Sequence, residues 1–318
     1  MTQRILVIKH GALGDFVLAT GPFKAIRAHH PGARITLMTT KPFAGFAAAM
    51  GLFDDIWIDD KPKPWNLGRW FSLRRRLRES RFDRVYDLQH TDRTHSYFRL
   101  MGSPKPEWSG IAPGASHPHS NPNRDRMHTI ERQAEQLAMA GIADTPPTDL
   151  GWLTSDITRF DLPRPFALLV PGAAPHRPDK RWPAERYAAL ARTLSAAGVL
   201  PVLIGAAAEK PIMECIRAKT PKVHDLGGQT SFADIAELGR HAALAVGNDT
   251  GPMHFIAAVG CPSVVLFSAA SRSAETAPRG PKVAILQEAR LAELAEGRVI
   301  ESLATLVPDV VKAGGTAA

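Results

Sequence analysis

Asp249, Thr250, Gly251 and His254 fall within one short stretch of the segment Leu244–Phe267, LAVGNDTGPMHFIAAVGCPSVVLF. A carboxylate, a hydroxyl, a glycine and an imidazole so grouped follow an apolar run that ends at Gly247. They precede a second apolar run, Ser263–Phe267. The order predicts strand, tight polar turn, short helix, strand. Asp249 or Thr250 can cap that helix, and Pro252 suits its first turn. A helix start presents unpaired backbone N–H groups and the positive end of the helix dipole. It therefore suits an anion, and a phosphate-bearing ligand above all.

Two further residues could do chemistry. Asp15 closes the turn His10-Gly-Ala-Leu-Gly-Asp15, where Gly11 and Gly14 let the backbone bend closely. A carboxylate there can take a proton from an attacking hydroxyl, an effect typically worth about 10²–10⁴ in rate, or it can simply cap a helix. The turn has only G-x-x-G. It lacks the three-glycine dinucleotide fingerprint, and no G-x-x-x-x-G-K-[ST] occurs. Lys180, in Asp179-Lys-Arg-Trp-Pro183, can meet phosphate oxygens as a compact charge or sit as a surface lysine near a helix start. Arg181 competes for the same role, while Trp182 reads as a packing anchor. His254 can donate to a phosphate, and equally can cap or pack.

The elements that must position these residues come in two similar sets. The first begins with the strand Arg4–Lys9, a helical segment to about His30 broken or restarted at Gly21-Pro22, and strands at Arg34–Thr39, Asp55–Ile58 and Arg84–Leu88. The second begins with Phe166–Val170, a turn to Pro178, and a helix from Pro183 that Gly198 stops. Strands follow at Val199–Ile204, Ala242–Val246 and Ser263–Phe267. Strands alternating with helices predict an α/β chain with two doubly wound parallel sheets. The Pro-, Thr- and Asp-rich stretch 144–165 reads as containing the linker, which gives domains 1–155 and 156–300. Residues 102–126, rich in Gly, Pro, Ser, His and Asn, read as a mobile loop.

Composition narrows the classes. The chain has 318 residues, 44% hydrophobic and 22% charged, enough for about two domains with substantial cores. No apolar run approaches the ~20 residues of a membrane span, and charges interrupt the N-terminal apolar stretch, against a signal peptide. Cys215 and Cys261 lack metal-ligand spacing and read as core thiols of a reducing compartment. The net charge of +8 is concentrated in residues 1–150, with 21 Lys+Arg against 15 Asp+Glu. Arg74, Arg75 and Arg78 belong to a run of arginines interleaved with Trp70, Phe71, Leu73 and Leu77. Such a helix can dock on anionic lipid headgroups or an acidic acceptor, or be a solvated face. No nucleic-acid module accompanies it. Asp54-Asp55 and Asp59-Asp60 read as turn carboxylates, His117 and His119 have no companion acid nearby in sequence, and no metal requirement is expected.

Together these residues resemble glycosyltransferase family 9, the lipopolysaccharide heptosyltransferases. The likeness runs through RILVIKHGALGDFVLATGPFKAIRAHHPGARI, DLQHTDRTHSYFRLMG, HTIERQAEQLAMAGI, VPGAAPHRPDKRWPAERYAAL, DLGGQTSFADIAEL and GNDTGPMHFIAAVGCPSVVLF. Two departures are a missing Gly-Pro-Thr-like turn, replaced by Ser268-Ala-Ala-Ser271, and an unmatched 114–126 segment. The resemblance implies a GT-B architecture, two Rossmann-like domains facing across a cleft, with the last helix (301–312) returning to the first. It implies an inverting, metal-independent transferase moving a sugar, typically heptose from ADP-heptose, onto a lipopolysaccharide-core or related glycolipid. By position Asp15 is the base and Lys180 the phosphate-binding lysine. Asp249, Thr250, Gly251 and His254 form the donor loop, with Gly228 beside the nucleotide base. Arg74, Arg75 and Arg78 would face the acceptor or the inner membrane surface from the cytoplasm, with no nucleic acid involved. The competing readings are a nucleotide-sugar epimerase of GT-B-like fold and a non-catalytic nucleotide-sugar-binding protein.

Overall fold

The computed structural model describes residues 2–174 and 176–312. They divide into two compact units, Met1–Thr148 and Asp149–Ala318, so the boundary lies inside the Pro-rich stretch.

The first unit runs β1 (Arg4–Ile8), α1 (Leu13–Leu18), α2 (Thr20–His29), β2 (Arg34–Thr39), α3 (Lys41–Ala49), β3 (Asp55–Ile58), α4 (Leu67–Glu79), β4 (Arg84–Asp87), α5 (Asp92–Leu100), β5 (Glu107–Gly110), β6 (His117–Pro118) and α6 (Thr129–Met139). All its strands pair in parallel, in the order β3-β2-β1-β4-β5-β6. Helices cover both faces, which is why RILVI and ITLM are nearly unbroken apolar runs. Helix α1 stops at Leu18 and α2 restarts with Pro22 in its first turn, where proline's missing N–H costs nothing.

The second unit runs β7 (Phe166–Val170), α7 (Ala184–Ala196), β8 (Leu200–Leu203), α8 (Lys210–Lys219), β9 (His224–Asp225), α9 (Phe232–His241), β10 (Leu244–Asn248), α10 (Gly251–Ala258), β11 (Ser263–Phe267), α11 (Ser273–Thr276), β12 (Val283–Gln287), α12 (Glu296–Leu306) and α13 (Pro308–Lys312). This sheet is also parallel, ordered β12-β11-β10-β7-β8-β9. The strand order reverses between β1 and β4 in one sheet and between β7 and β10 in the other. At such a reversal the carboxyl ends of the strands leave a crevice for a ligand.

Three expectations change. The presumed mobile loop 102–126 contains β5 and β6, and fully buried Trp108 packs its ring 5.0 Å from that of Phe98. EWSG has one large apolar residue, too little for a periodic signal. The C-terminal helix expected on the first domain has Val299 and Leu303 in the core of the second unit, with Trp182, Tyr187 and Leu294. Cys261 is buried, but Cys215 is exposed on α8.

Candidate active site

In the first unit the chemistry gathers where β1 ends. Lys9 is the last residue before the turn and is almost fully buried, and its Nζ donates to the Leu88 carbonyl at 3.2 Å. Burial pulls its pKa down, while the carboxylates of Asp15 and Asp87 oppose that pull. His10 follows. Its N–H donates to Gln89 Oε1 at 2.7 Å, its carbonyl accepts from Thr40 Oγ1 at 2.9 Å, and its Nε2 lies 3.0 Å from Asp59 Oδ2. Asp59 also accepts from the Tyr97 hydroxyl and from the Lys61 N–H, at 2.8 Å for the latter. Those bonds hold its carboxyl below the usual range despite its burial. Gly11, at φ +126, passes against Phe43, and a Cβ there would lie 2.5 Å from the ring. No side-chain-bearing residue fits that bend.

The turn delivers Asp15 to the first turn of α1. Ala12 occupies the cap position, so Asp15 is not the helix cap. Neighbouring Phe16 is buried among Phe23, Phe43 and Phe46 and fixes the helix. Asp15 itself is half-buried, and among the described residues its carboxylate accepts no hydrogen bond. A carboxylate held in place with its lone pairs unused can accept a proton.

Around it stands a network that sequence reasoning missed. Asp87 is fully buried at the end of β4 and accepts from the Gln89 and His90 N–H groups at 3.0 and 3.1 Å, and burial raises its carboxyl pKa. Gln136 of α6 donates to the Asp87 carbonyl at 3.0 Å and to Ser109 Oγ at 3.2 Å, and contacts His90 Nε2 at 2.5 Å. His119 does have an acid, Glu135 at 3.3 Å, brought by α6 rather than by sequence. Arg132 adds positive charge felt at both Lys9 and His90, and Arg124 adds charge felt at His90. Arg74, Arg75 and Arg78 are elsewhere, exposed along α4. The paired aspartates each meet a cationic or ring partner: Asp54 with Arg27, Asp55 with Arg34, Asp59 with His10 and Asp60 with Arg69.

In the second unit Asp249 follows β10, and Thr250 takes the N-cap position of α10 without a side-chain cap bond. Pro252 has no N–H and the Met253 N–H bonds the Thr250 carbonyl at 3.1 Å, so in that first turn the Gly251 N–H is the amide left for an external acceptor. Lys180, in a short 3-10 turn after β7, reaches Asp249 Oδ2 at 2.5 Å. Both side chains are mostly buried, 17% and 8% exposed, and the other two ammonium protons have no partner among the described residues. His254 is buried one turn into α10. Arg181, the competing cation, donates one guanidinium N–H to the Ala173 carbonyl at 2.9 Å. Trp182 is the anchor expected, fully buried with its indole N–H on the Leu294 carbonyl at 2.9 Å.

Two residues absent from the sequence reading complete this site. Asn248 is fully buried. Its amide donates to the Pro171 and Gly172 carbonyls at 2.8 and 3.2 Å, and its oxygen accepts from the Trp182 N–H and the Tyr187 hydroxyl, both at 3.1 Å. It ties the ends of β10 and β7 to the start of α7. Glu209 lies over Gly172 and Gly205 and accepts from the Ala206 N–H at 2.7 Å, with its pKa raised by burial. Gly228 approaches from the loop after β9, its N–H on the Gly205 carbonyl at 2.7 Å. Glu209 thus joins the loops after β7 and β8, and the loop after β9 reaches the same turn through Gly205.

Two parallel, doubly wound units, each with candidate residues at its strand-order reversal, are the arrangement of the GT-B fold. The family model described as glycosyltransferase family 9 (heptosyltransferase) matches residues 70–302, and the chain belongs to that family. It is 26% identical over 310 residues to lipopolysaccharide heptosyltransferase 2 of Escherichia coli K12, covering 85% of this chain and 84% of that one. A shorter match, 34% identical over 143 residues, is to lipooligosaccharide heptosyltransferase 2 of Haemophilus influenzae. It spans 43% of this chain and 39% of the relative. The solved structure of E. coli ADP-heptose lps heptosyltransferase II is similar with a TM-score of 0.75 at 24% identity, covering 96% of this chain and 99% of that one. Family membership favours a transferase over the epimerase and over a non-catalytic binding protein. Among the described residues no cluster of His, Cys, Asp or Glu could hold a metal ion, and no helix is long and apolar enough to cross a membrane.

Proposed function

We propose that this chain moves heptose from ADP-heptose onto a lipopolysaccharide-core or related glycolipid acceptor, inverting the anomeric configuration. The observation that carries the donor half is the Lys180–Asp249 pair at the uncapped start of α10. Asp249 holds the ammonium in place before any ligand arrives, so little reorganisation is needed when a diphosphate accepts its spare protons. The Gly251 N–H at the start of α10 adds a donor, and His254 stands one turn further in. Glu209 supplies an acceptor for nucleoside hydroxyls, as acidic residues do in other doubly wound folds, and the backbone at Gly228 lines the base pocket. Charge on the leaving diphosphate is thus met by protein groups, and the reaction runs without a metal.

The acceptor half rests on Asp15. Its carboxylate takes the proton of the acceptor hydroxyl as the oxygen forms its bond to the anomeric carbon. The bond from that carbon to the diphosphate oxygen breaks on the opposite face, and the electron pair leaves with ADP. Lys9, Arg124 and Arg132 make the surroundings positive, which suits an anionic acceptor. A lipid-linked acceptor places the working enzyme peripherally, on the cytoplasmic face of the membrane.

Calorimetry with ADP, UDP and GDP, with and without EDTA, tests the donor half. ADP binds preferentially, EDTA changes nothing, and Lys180→Ala weakens ADP by roughly tenfold or more, as expected for a charge-assisted contact. Absence of binding to all three overturns the donor site. Asp15→Asn lowers kcat by about 10²–10⁴ with donor binding intact; near-full turnover by this variant removes Asp15 as base.

A further inference from the structure

Large apolar side chains are rarely left in water without reason, and here they are concentrated. Five are exposed among the described residues, and four of them, Ile58, Trp65, Leu67 and Phe71, lie between the end of β3 and the first turns of α4. Trp65 is 76% exposed, Phe71 65% and Leu67 64%. The segment that carries them is built, not loose. Lys61 N–H bonds to Asp59 Oδ1 at 2.8 Å, Arg93 holds the Pro62 carbonyl at 3.2 Å, and the Trp70 indole N–H holds the Lys63 carbonyl at 3.2 Å. Asn66 caps α4.

The helix continues the surface with charge. Leu67, Phe71, Arg74 or Arg75, and Arg78 are spaced to share one side of α4, while Leu77 is buried in the core with Trp70 and Leu73 packed against it. Residues 61–81 hold eight Lys and Arg against one acid, Glu79. Arg74, Arg75 and Arg81 make no ion pair among the described residues. Phe71, Arg74, Arg75 and Arg78 border an open surface depression of about 660 Å³.

We propose that this face is a lipid-docking surface. Trp65, Leu67 and Phe71 enter the interface of an anionic bilayer, and Arg74, Arg75 and Arg78 lie against its headgroup phosphates. An apolar ledge next to unpaired arginines fits that partner on both counts: lipid takes the aromatics, and phosphates take the charge. Neither an acidic protein nor a nucleic acid explains an exposed Trp, Leu and Phe at the leading edge. The same segment begins at Asp59, which is bound to His10 in the turn that leads to Asp15, so docking holds the acceptor-side chemistry at the membrane surface. The inference deepens the reading of a membrane-anchored acceptor, yet lipid binding is measured without any transfer, so the two can fail separately.

The test is co-sedimentation of the full chain with vesicles of phosphatidylcholine alone or mixed with phosphatidylglycerol. Wild type binds the anionic vesicles and not the neutral ones. Trp65→Ser/Phe71→Ser weakens that partition by roughly tenfold or more, and Arg74→Gln/Arg75→Gln by roughly 25-fold at low salt, about fivefold per charge. The aromatic variant keeps wild-type circular dichroism and wild-type transfer to a delipidated, water-soluble acceptor. Brominated lipid quenches wild-type fluorescence and loses that component in Trp65→Phe. The proposal is overturned if wild type stays in the supernatant with anionic vesicles. It is equally overturned if the aromatic variant sediments as wild type does.

Discussion

Replacing Asn248 with alanine should cost the second unit about 3 kcal/mol of stability, and the figure can be built bond by bond. The side chain is fully buried and uses both donors and both acceptor positions: Pro171 O, Gly172 O, Trp182 N–H and Tyr187 Oη. A buried hydrogen bond contributes about 1 kcal/mol net, and a group stranded without water costs somewhat more. Tyr187 has a single proton and a second acceptor, the Val170 carbonyl at 3.2 Å, so its share is small. The remaining three give the estimate. Asn248→Asp keeps both acceptor contacts but aims an oxygen at two carbonyls. Its folded-state pKa is therefore raised above the unfolded value of about 3.9, and its stability must fall as pH rises above about 4. Hydrogen exchange of β10 and α7 reads the opening of this unit by itself. If Asn248→Ala opens within about 1 kcal/mol of wild type, the bond-by-bond reasoning is wrong, and Asn248 is not what joins the ends of β7 and β10.

Other outcomes follow from the same geometry. A Cβ on Gly172 would lie 1.9 Å from Glu209 Oε1, so Gly172→Ala must push the carboxylate off the Ala206 N–H. Gly172→Ala and Glu209→Ala should each weaken ADP binding by roughly tenfold, and calorimetry should find the double variant no worse than either, because both remove one arrangement. His30, between Gln3 and the Tyr86 hydroxyl, is pulled down to about 4 by burial and by nearby His29, Arg84 and Arg27. The unfolded chain takes that proton near pH 6.5, so the stabilisation is complete above about 6.5 and lost as pH falls towards 4. Urea titrations across that window should show a decline in the first unit that His30→Gln flattens. Trp108→Ala, which empties the contact with Phe98, should cost about 3–5 kcal/mol in the same assay.

How much of this was legible depended on whether a residue's role is local. Strands β1, β2, β7, β10 and β11 are runs of apolar residues that the sheets bury, and so they were legible as strands. The Asp249–His254 group stands directly after β10, and Asp15 and Lys180 lie in the connections that leave β1 and β7, so the sequence order itself links them to carboxyl ends. Lys9, Asn248 and Glu209 gave no such sign. Each acts by filling hydrogen bonds or space supplied from residues far along the chain, and only the fold joins them. Trp108 shows the same for structure. The strand EWSG is held by two partner strands and one buried ring, with no periodicity of its own. Cys215 erred in the other direction, because an apolar neighbourhood in sequence still left it on the exposed side of an amphipathic helix.

Hydrogen-bonding capacity separates scaffold from site in both units. Asn248 is saturated, Gln136 spends its amide donors on Asp87 and Ser109, and Asp59 collects His10, Tyr97 and Lys61. Such groups have nothing left for a ligand, so changing them must appear as lost stability. Asp15 is the opposite case, fixed by buried Phe16 yet accepting no bond among the described residues. Replacing its carboxylate with an amide breaks no hydrogen bond and removes one of the two charges opposing the burial of Lys9, so Asp15→Asn should cost less stability than Asn248→Ala while removing most turnover. Lys180 is intermediate, with one contact to Asp249 and two protons to spare, and should cost affinity first and stability second. Measuring urea stability and kcat together for Asp15→Asn and Asn248→Ala decides the matter. If Asp15→Asn proves as destabilising as Asn248→Ala, its carboxylate belongs to the scaffold, and the proton acceptor must be sought among its neighbours.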